Sequence, residues 1–158
     1  MERSILIPKS LISDLRAKAA AGLPNEVGGF LIGSRTNMGV VINRATGPYH
    51  HDRFSRTTFK RLDKQHSVII MNSWRKSGTK ETLLGDWHSH TSSSLEYSNL
   101  DKKGWISMIS KNHSPMVGLI VNAHNFNLYR LLNKVSFSVA RVQKIAENSE
   151  NILFRYVD

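Results

Sequence analysis

The sequence predicts a mixed α+β fold, an α/β sandwich formed as a single domain over residues 1–158. Three observations predict it. The chain has 158 residues, 40% hydrophobic and 22% charged, which is the size and balance of one domain able to bury a core. Apolar runs of strand length stand near both ends and between. Interposed among them are segments whose apolar residues recur at helical spacing.

Ser4–Ile7 is a short apolar run that Pro8 ends, hence a strand. From Lys9 to Ala21, Leu11, Ile12, Leu15 and Ala19 keep helical spacing and Gly22 is the stop signal. Leu23-Pro24-Asn25 is a turn. Glu26 to Gly33 reads as a glycine-rich strand, and glycine inside a strand marks a bulge or close backbone approach. Val40–Ala45 is its partner, joined through Thr36–Gly39. Thr57–Lys60 reads as a further short strand, and Leu62–Trp74 as a helix with Val68, Ile69, Met71 and Ile70 turned inward. Thr82–His88 is a strand running into Ser89 and His90, followed by a polar loop from Thr91 to Tyr97. Ser98 suits the N-cap of a helix over Asn99–Ser110. Ser114–Ala123 and Phe126–Leu132 are strands with His124-Asn125 as their turn; Ser136–Gln143 and Ile152–Val157 complete the set.

The absence of cysteine excludes a disulfide scaffold, a thiolate nucleophile and any cysteine-ligated metal. A metal must then be held by histidine and carboxylate. No apolar run approaches a membrane span, and Met1–Pro8 has no long apolar core of a signal peptide, so a soluble cytoplasmic protein with no membrane partner is expected.

Chemistry concentrates between Gly85 and Asp101. His88 and His90 are two apart, so on a strand both imidazoles reach one side. Asp101 follows Ser98 by three, in the first turn of the helix that Ser98 caps, and the intervening loop can fold that turn over the strand end. Two imidazoles and one carboxylate suffice for a catalytic zinc, whose fourth position holds a water of pKa about 7. Glu26, which opens a strand flanked by glycines, is the candidate base that takes that water's proton and hands it to a leaving amine. Ser98 can donate to the oxyanion, a contact typically worth about 3 kcal/mol. Each residue also has an ordinary reading: Ser98 as a cap, Asp101 as a first-turn acid, Glu26 as a turn acid. Trp87 and Trp105 read as core, and His50-His51 as loop. The remaining histidines, His66, His113 and His124, show no ligand spacing. Phe54 and Phe59, interleaved with Arg53, Arg56 and Lys60, fit either a binding surface or an amphipathic edge strand.

Taken together, His88-x-His90, seven residues, Ser98-x-x-Asp101, and Glu26 ahead of Gly28-Gly29-Phe30-Leu31-Ile32-Gly33 resemble the JAB/MPN-type (JAMM) zinc metalloproteases, in element order over the whole chain. The resemblance implies a JAB1/MPN-like, cytidine-deaminase-like fold with a central mixed sheet flanked by helices. It implies one zinc ion held by His88, His90 and Asp101, Glu26 activating the zinc-bound water, and Ser98 as oxyanion partner. The reaction implied is hydrolysis of a peptide or isopeptide bond after the C-terminus of a ubiquitin-like modifier. Thr91 stands where many members have proline, which implies a different loop path with the ligands intact. The flanking Gly85-Asp86-Trp87 and Trp105 are most similar to the stand-alone bacterial group of anti-phage (CBASS) operons. Those proteins act beside an E1–E2-like ligase and release a conjugated nucleotidyltransferase (CD-NTase). Two other readings remain, an inactive MPN-like interaction module and a RadC-like nucleic-acid-associated protein. The first lacks the usual loss of a ligand, and the second its usual Pro-Ser-Gly after the second histidine.

The net charge of +10 by itself points to an acidic partner, with nucleic acid the first guess. The motif divides that charge. Glu81–Asp101 has four acids and no Lys or Arg, so it carries −4 and the rest of the chain +14. The basic excess, densest at Arg53, Arg56, Lys60, Arg61 and Lys64, is therefore expected to dock an acidic protein, and no nucleic-acid partner is expected.

Overall fold

The computed structural model describes residues 3–133 and 135–156, so Val157 of the last expected strand lies outside the described residues, as do Met1 and Glu2. In chain order the elements are β1 (Ser4–Pro8), α1 (Lys9–Gly22), β2 (Gly28–Arg35), β3 (Gly39–Ala45), β4 (Arg53–Phe54), β5 (Phe59–Lys60), α2 (Gln65–Lys76), β6 (Glu81–Ser89), α3 (Asn99–Asn112), β7 (Met116–Val121), β8 (Phe126–Asn133), β9 (Phe137–Glu147) and β10 (Asn151–Tyr156).

The mixed α+β class holds, but the sheet does not lie open as the layer of a sandwich. Eight strands close into a barrel in the order β1-β10-β9-β8-β7-β6-β2-β3. Closure comes from β1, which pairs antiparallel with β10 and parallel with β3. The other parallel pair is β6 with β7. Register shifts in the β2–β3, β2–β6 and β9–β10 ladders supply the extra twist that curls a sheet on itself.

Two apolar clusters divide along the pleat. Helix α1 meets β1, β3 and β7, and its Ile12, Leu15 and Ala19 join Ile5, Leu84, Trp87, Val117, Leu119 and Val121 in the larger cluster. Met116 and Ile120, which alternate with those β7 residues, pack with Trp105, Met108 and Ile109 of α3 on the other face. Trp87 and Trp105 are both core, at 0% and 1% exposure.

Helix α2 differs from expectation. It starts at Gln65, and Val68 and Met71 face solvent, while His66, Ile69, Ile70 and Ser73 form the inward stripe. Polar partners set this rotation. The buried His66 ring has Nε2 2.9 Å from both Asp52 carboxylate oxygens and Nδ1 2.7 Å from the Thr46 hydroxyl. Turning the helix to bury Val68 would strand a buried carboxylate, which costs more than one exposed valine. The segment from Thr57 is strand only at Phe59–Lys60, where it pairs with Arg53–Phe54 as a small hairpin. The strand expected from Glu26 begins at Gly28, with Glu26 and Val27 just ahead of it.

Gly118 fixes how closely α3 approaches the barrel: a Cβ there would stand 2.4 Å from the Trp105 ring. Gly118→Ala is expected to destabilise the fold by about 2 kcal/mol through overpacking, read as a lowered urea midpoint with an unchanged slope.

Candidate metal centre

The β2–β6 ladder delivers the first components. Gly28 pairs with His88 and Gly29 with Trp87. The register continues one step beyond the strand: Ser89 N–H donates to Val27 O at 2.7 Å, and Val27 N–H donates to Ser89 Oγ at 2.9 Å. Ser89 points inward, so His88 and His90 point outward. One further step puts Glu26 opposite His90 on that outward side.

Asp101 arrives from α3. Ser98 N–H donates to Asp101 Oδ2 at 2.7 Å, and Asp101 N–H donates to Ser98 Oγ at 3.1 Å, a reciprocal capping box. The box holds the carboxylate rotamer. Asp101 Oδ1 lies 3.1 Å from His88 Nε2 and Oδ2 lies 3.2 Å from His90 Nε2, with the two Nε2 atoms 3.2 Å apart. These three side chains are a group whose ligand atoms all lie within 4.8 Å of one another. His90 Nδ1 is 3.0 Å from Ser94 O, so a proton on Nδ1 leaves the Nε2 lone pair free to ligate. Two nitrogens and a carboxylate, converging and oriented from behind, fit zinc.

The three side chains hold one another electrostatically. Burial pushes Asp101 up, but hydrogen bonds from His88 and His90 outweigh it and hold the carboxyl far below its usual range. Burial opposes protonation of His90, and Asp101 together with Ser94 O overrides it, so the imidazole is shifted upward. Glu26, at 9% exposure, is pushed above its ordinary 4.5 by burial, against the pull of His88 and His90.

Glu26, His88 and Asp101 line one groove of about 610 Å³ between the β4–β5 hairpin and α3. Ser98 sits exposed at its edge, outside the groove lining. The exposed His50 and His51 are also away from it.

Arg61 is the residue that the sequence misassigned. Expected among exposed basic residues, it turns inward instead. Nε donates to Gly29 O and one terminal nitrogen to Trp87 O, both at 2.7 Å, and that nitrogen is 3.3 Å from Asp86 Oδ2. The guanidinium also lies 5.4 Å from the Phe30 and Phe59 ring centres. Asp86 accepts from Trp105 Nε1 at 2.8 Å, so one carboxylate joins β6, α3 and the hairpin. Asp86 had no role assigned from the sequence, although its place two before His88 on the same strand face was a signal that could have found it; nothing local marked Arg61. Thr91 donates from its hydroxyl to Arg56 O at 3.2 Å, a tie between loop and hairpin that proline cannot make.

The family model for prokaryotic homologues of the JAB domain matches residues 8–135. The chain belongs to this JAB family. Among its relatives, a CD-NTase/cGAS isopeptidase of Pseudomonas aeruginosa is 32% identical over 98 residues, 61% of this chain and 62% of that protein. A protein of the same name from Escherichia coli is 32% identical over 96 residues, 61% of either chain. The JAB chain thus spans about three-fifths of the length of the curated relatives it matches. The solution structure of a Desulfitobacterium hafniense protein superposes with TM-score 0.64 at 22% identity, covering 92% of this chain and 95% of that one, which shows the shared fold. No helix among the described residues is long and apolar enough to cross a membrane.

Arg61→Met keeps the stem and removes the charge, leaving Asp86 without its cation and taking one donor from each of the Gly29 and Trp87 carbonyls. Its expected cost is about 3 kcal/mol by urea titration. Glu26→Gln is expected to act oppositely on stability. With its folded pKa above the unfolded one, ionised Glu26 destabilises the fold at neutral pH, and the penalty vanishes once both states are protonated. Thermal melts of chelator-treated protein should therefore show Glu26→Gln at or above wild type at pH 7, with the gap closing as pH falls to about 4.5.

Proposed function

We propose that this JAB domain is a zinc-dependent isopeptidase that cuts the bond after the C-terminus of a protein modifier. The modifier favoured is a CD-NTase conjugated by an E1–E2-like ligase in a cytoplasmic CBASS system. The observation that carries the reading is the meeting of His88, His90 and Asp101 beside the buried Glu26, with Glu26, His88 and Asp101 lining one groove. The relatives named as CD-NTase/cGAS isopeptidases support the substrate class.

His88, His90 and Asp101 would hold the zinc. When bound, it supplies Lewis-acid polarisation and makes water a nucleophile near neutral pH. The chain's own groups do the rest. Glu26 accepts a proton from the attacking water and carries it to the departing lysine amine, so the C–N bond breaks with a neutral amine leaving. Burial raises the pKa of Glu26 and thereby suits it to hold and release that proton. Ser98 Oγ accepts the Asp101 amide through a lone pair, so its O–H remains able to donate to the oxyanion. The carboxylates of Glu26 and Asp101, which pair with no Lys or Arg among the described residues, disfavour a phosphate backbone beside them, which weighs against the RadC-like reading. The intact ligand set weighs against an inactive module.

Protein purified without chelator is expected to carry about one zinc per chain by metal analysis, and Asp101→Ala much less. Glu26→Gln should retain the zinc but lose at least about a hundredfold in cleavage of a fusion at the C-terminus of the partner CD-NTase. Zinc absent from freshly purified protein, or full cleavage by Glu26→Gln, contradicts the reading.

A further inference from the structure

The groove beside the metal centre has two banks from distant parts of the chain. Lys60 and the preceding Arg56 and Arg53 stand on the hairpin; Lys103 and its neighbour Lys102 stand on α3. All five are exposed, and among the described residues none of their side chains makes a hydrogen bond or ion pair. Arg61, by contrast, has its charge taken up by Asp86. No acid occurs from Arg53 to Arg61, and α3 has only Asp101. Both walls are thus cationic, while Glu26 and Asp101 place carboxylates on the groove beside the candidate metal ligands.

That alternation selects the occupant. A nucleic acid carries evenly spaced phosphates and would press some of them against Glu26 and Asp101. A polypeptide can place neutral residues beside those two carboxylates and its own carboxylates a few residues away, facing the lysines. Gly104 adds a steric observation. It lies inside α3, where glycine weakens a helix, and it lines the groove. A Cβ there would meet nothing within 4 Å, so packing within the fold does not call for glycine. That open space faces the groove.

We propose that the groove takes the extended, acidic C-terminal segment of the modifier protein, with Lys60 and Lys103 pairing with its carboxylates from opposite banks and Gly104 admitting its main chain. The assignment rests on the isopeptidase reading and deepens it: tails rich in Lys or Arg are rejected.

Fluorescence anisotropy with the zinc-loaded full chain tests it. The probes are a labelled glutamate-rich peptide, its lysine-for-glutamate counterpart and a single-stranded oligonucleotide. The glutamate peptide is expected to bind about tenfold tighter than the lysine peptide at low salt. That advantage should shrink as salt rises and disappear in the double variant Lys60→Glu, Lys103→Glu. Gly104→Ala should raise Tm by about 2–4 °C yet weaken the glutamate peptide. Equal binding of the two peptides, a preference that survives the double variant, or tighter binding of the oligonucleotide overturns the groove assignment. Undiminished peptide binding by Gly104→Ala overturns the role of that glycine. Tail fusions incubated with the same preparation separate the two readings. A glutamate preference without cleavage removes the isopeptidase and keeps the groove assignment; cleavage without a charge preference does the reverse.

Discussion

Gly28 stands opposite His88 in the β2–β6 ladder, and the places of Glu26, His88 and His90 at the candidate metal centre follow from that pairing. A slip of one residue would turn His88 and His90 into the barrel and Trp87 out to solvent. The register is held by more than ladder hydrogen bonds. Ser89 pins Val27 through both its amide and its hydroxyl, and Arg61 bridges Gly29 and Trp87 from the side. Glycine at 28 is part of the same constraint, because a Cβ there would stand 2.5 Å from Trp87 O.

Charge at the site is organised in two tiers. Near the centre, Asp101 and the histidines hold one another, and Glu26 is kept close by but desolvated. Behind it, Asp86 is neutralised by Arg61 and the Trp105 indole, so a second buried carboxylate adds rigidity rather than a competing base. The two tiers use alternate residues of one strand, Asp86, His88 and His90. A short segment of β6 thereby serves both structure and chemistry, while its inward residues, Leu84 and Trp87, belong to the large core cluster.

The parts legible in sequence are those whose determinants are local. His-x-His on a strand and Ser-x-x-Asp at a helix start are pairs of neighbours, and the structure places them as their spacing implies. Helix α1 was legible because its apolar stripe is uninterrupted. Helix α2 was not: its inward face carries His66 and Ser73, and the partners that make them acceptable, Asp52 and Thr46, lie well upstream. Closure of the barrel depends on β1 meeting both β3 and β10, a contact between chain ends that no local pattern encodes. Arg61 failed for a related reason, since one basic residue in a basic run gives no sign that it alone finds a carboxylate. Glu26 was singled out as a carboxylate at the head of a glycine-flanked strand; its register with His90 is visible only once β2 and β6 are paired.

The hairpin β4–β5 has only two residues in each strand, yet it is fastened at three points: Ser55 O accepts from Glu26 N–H, Arg56 O from Thr91, and Arg61 enters the β2–β6 ladder. A two-stranded ribbon of this size is marginal when isolated. Its order is therefore borrowed from the barrel, and it exists before any chain arrives. The proposed docking tail would then lose only its own conformational freedom, because the wall it meets has already lost its own during folding.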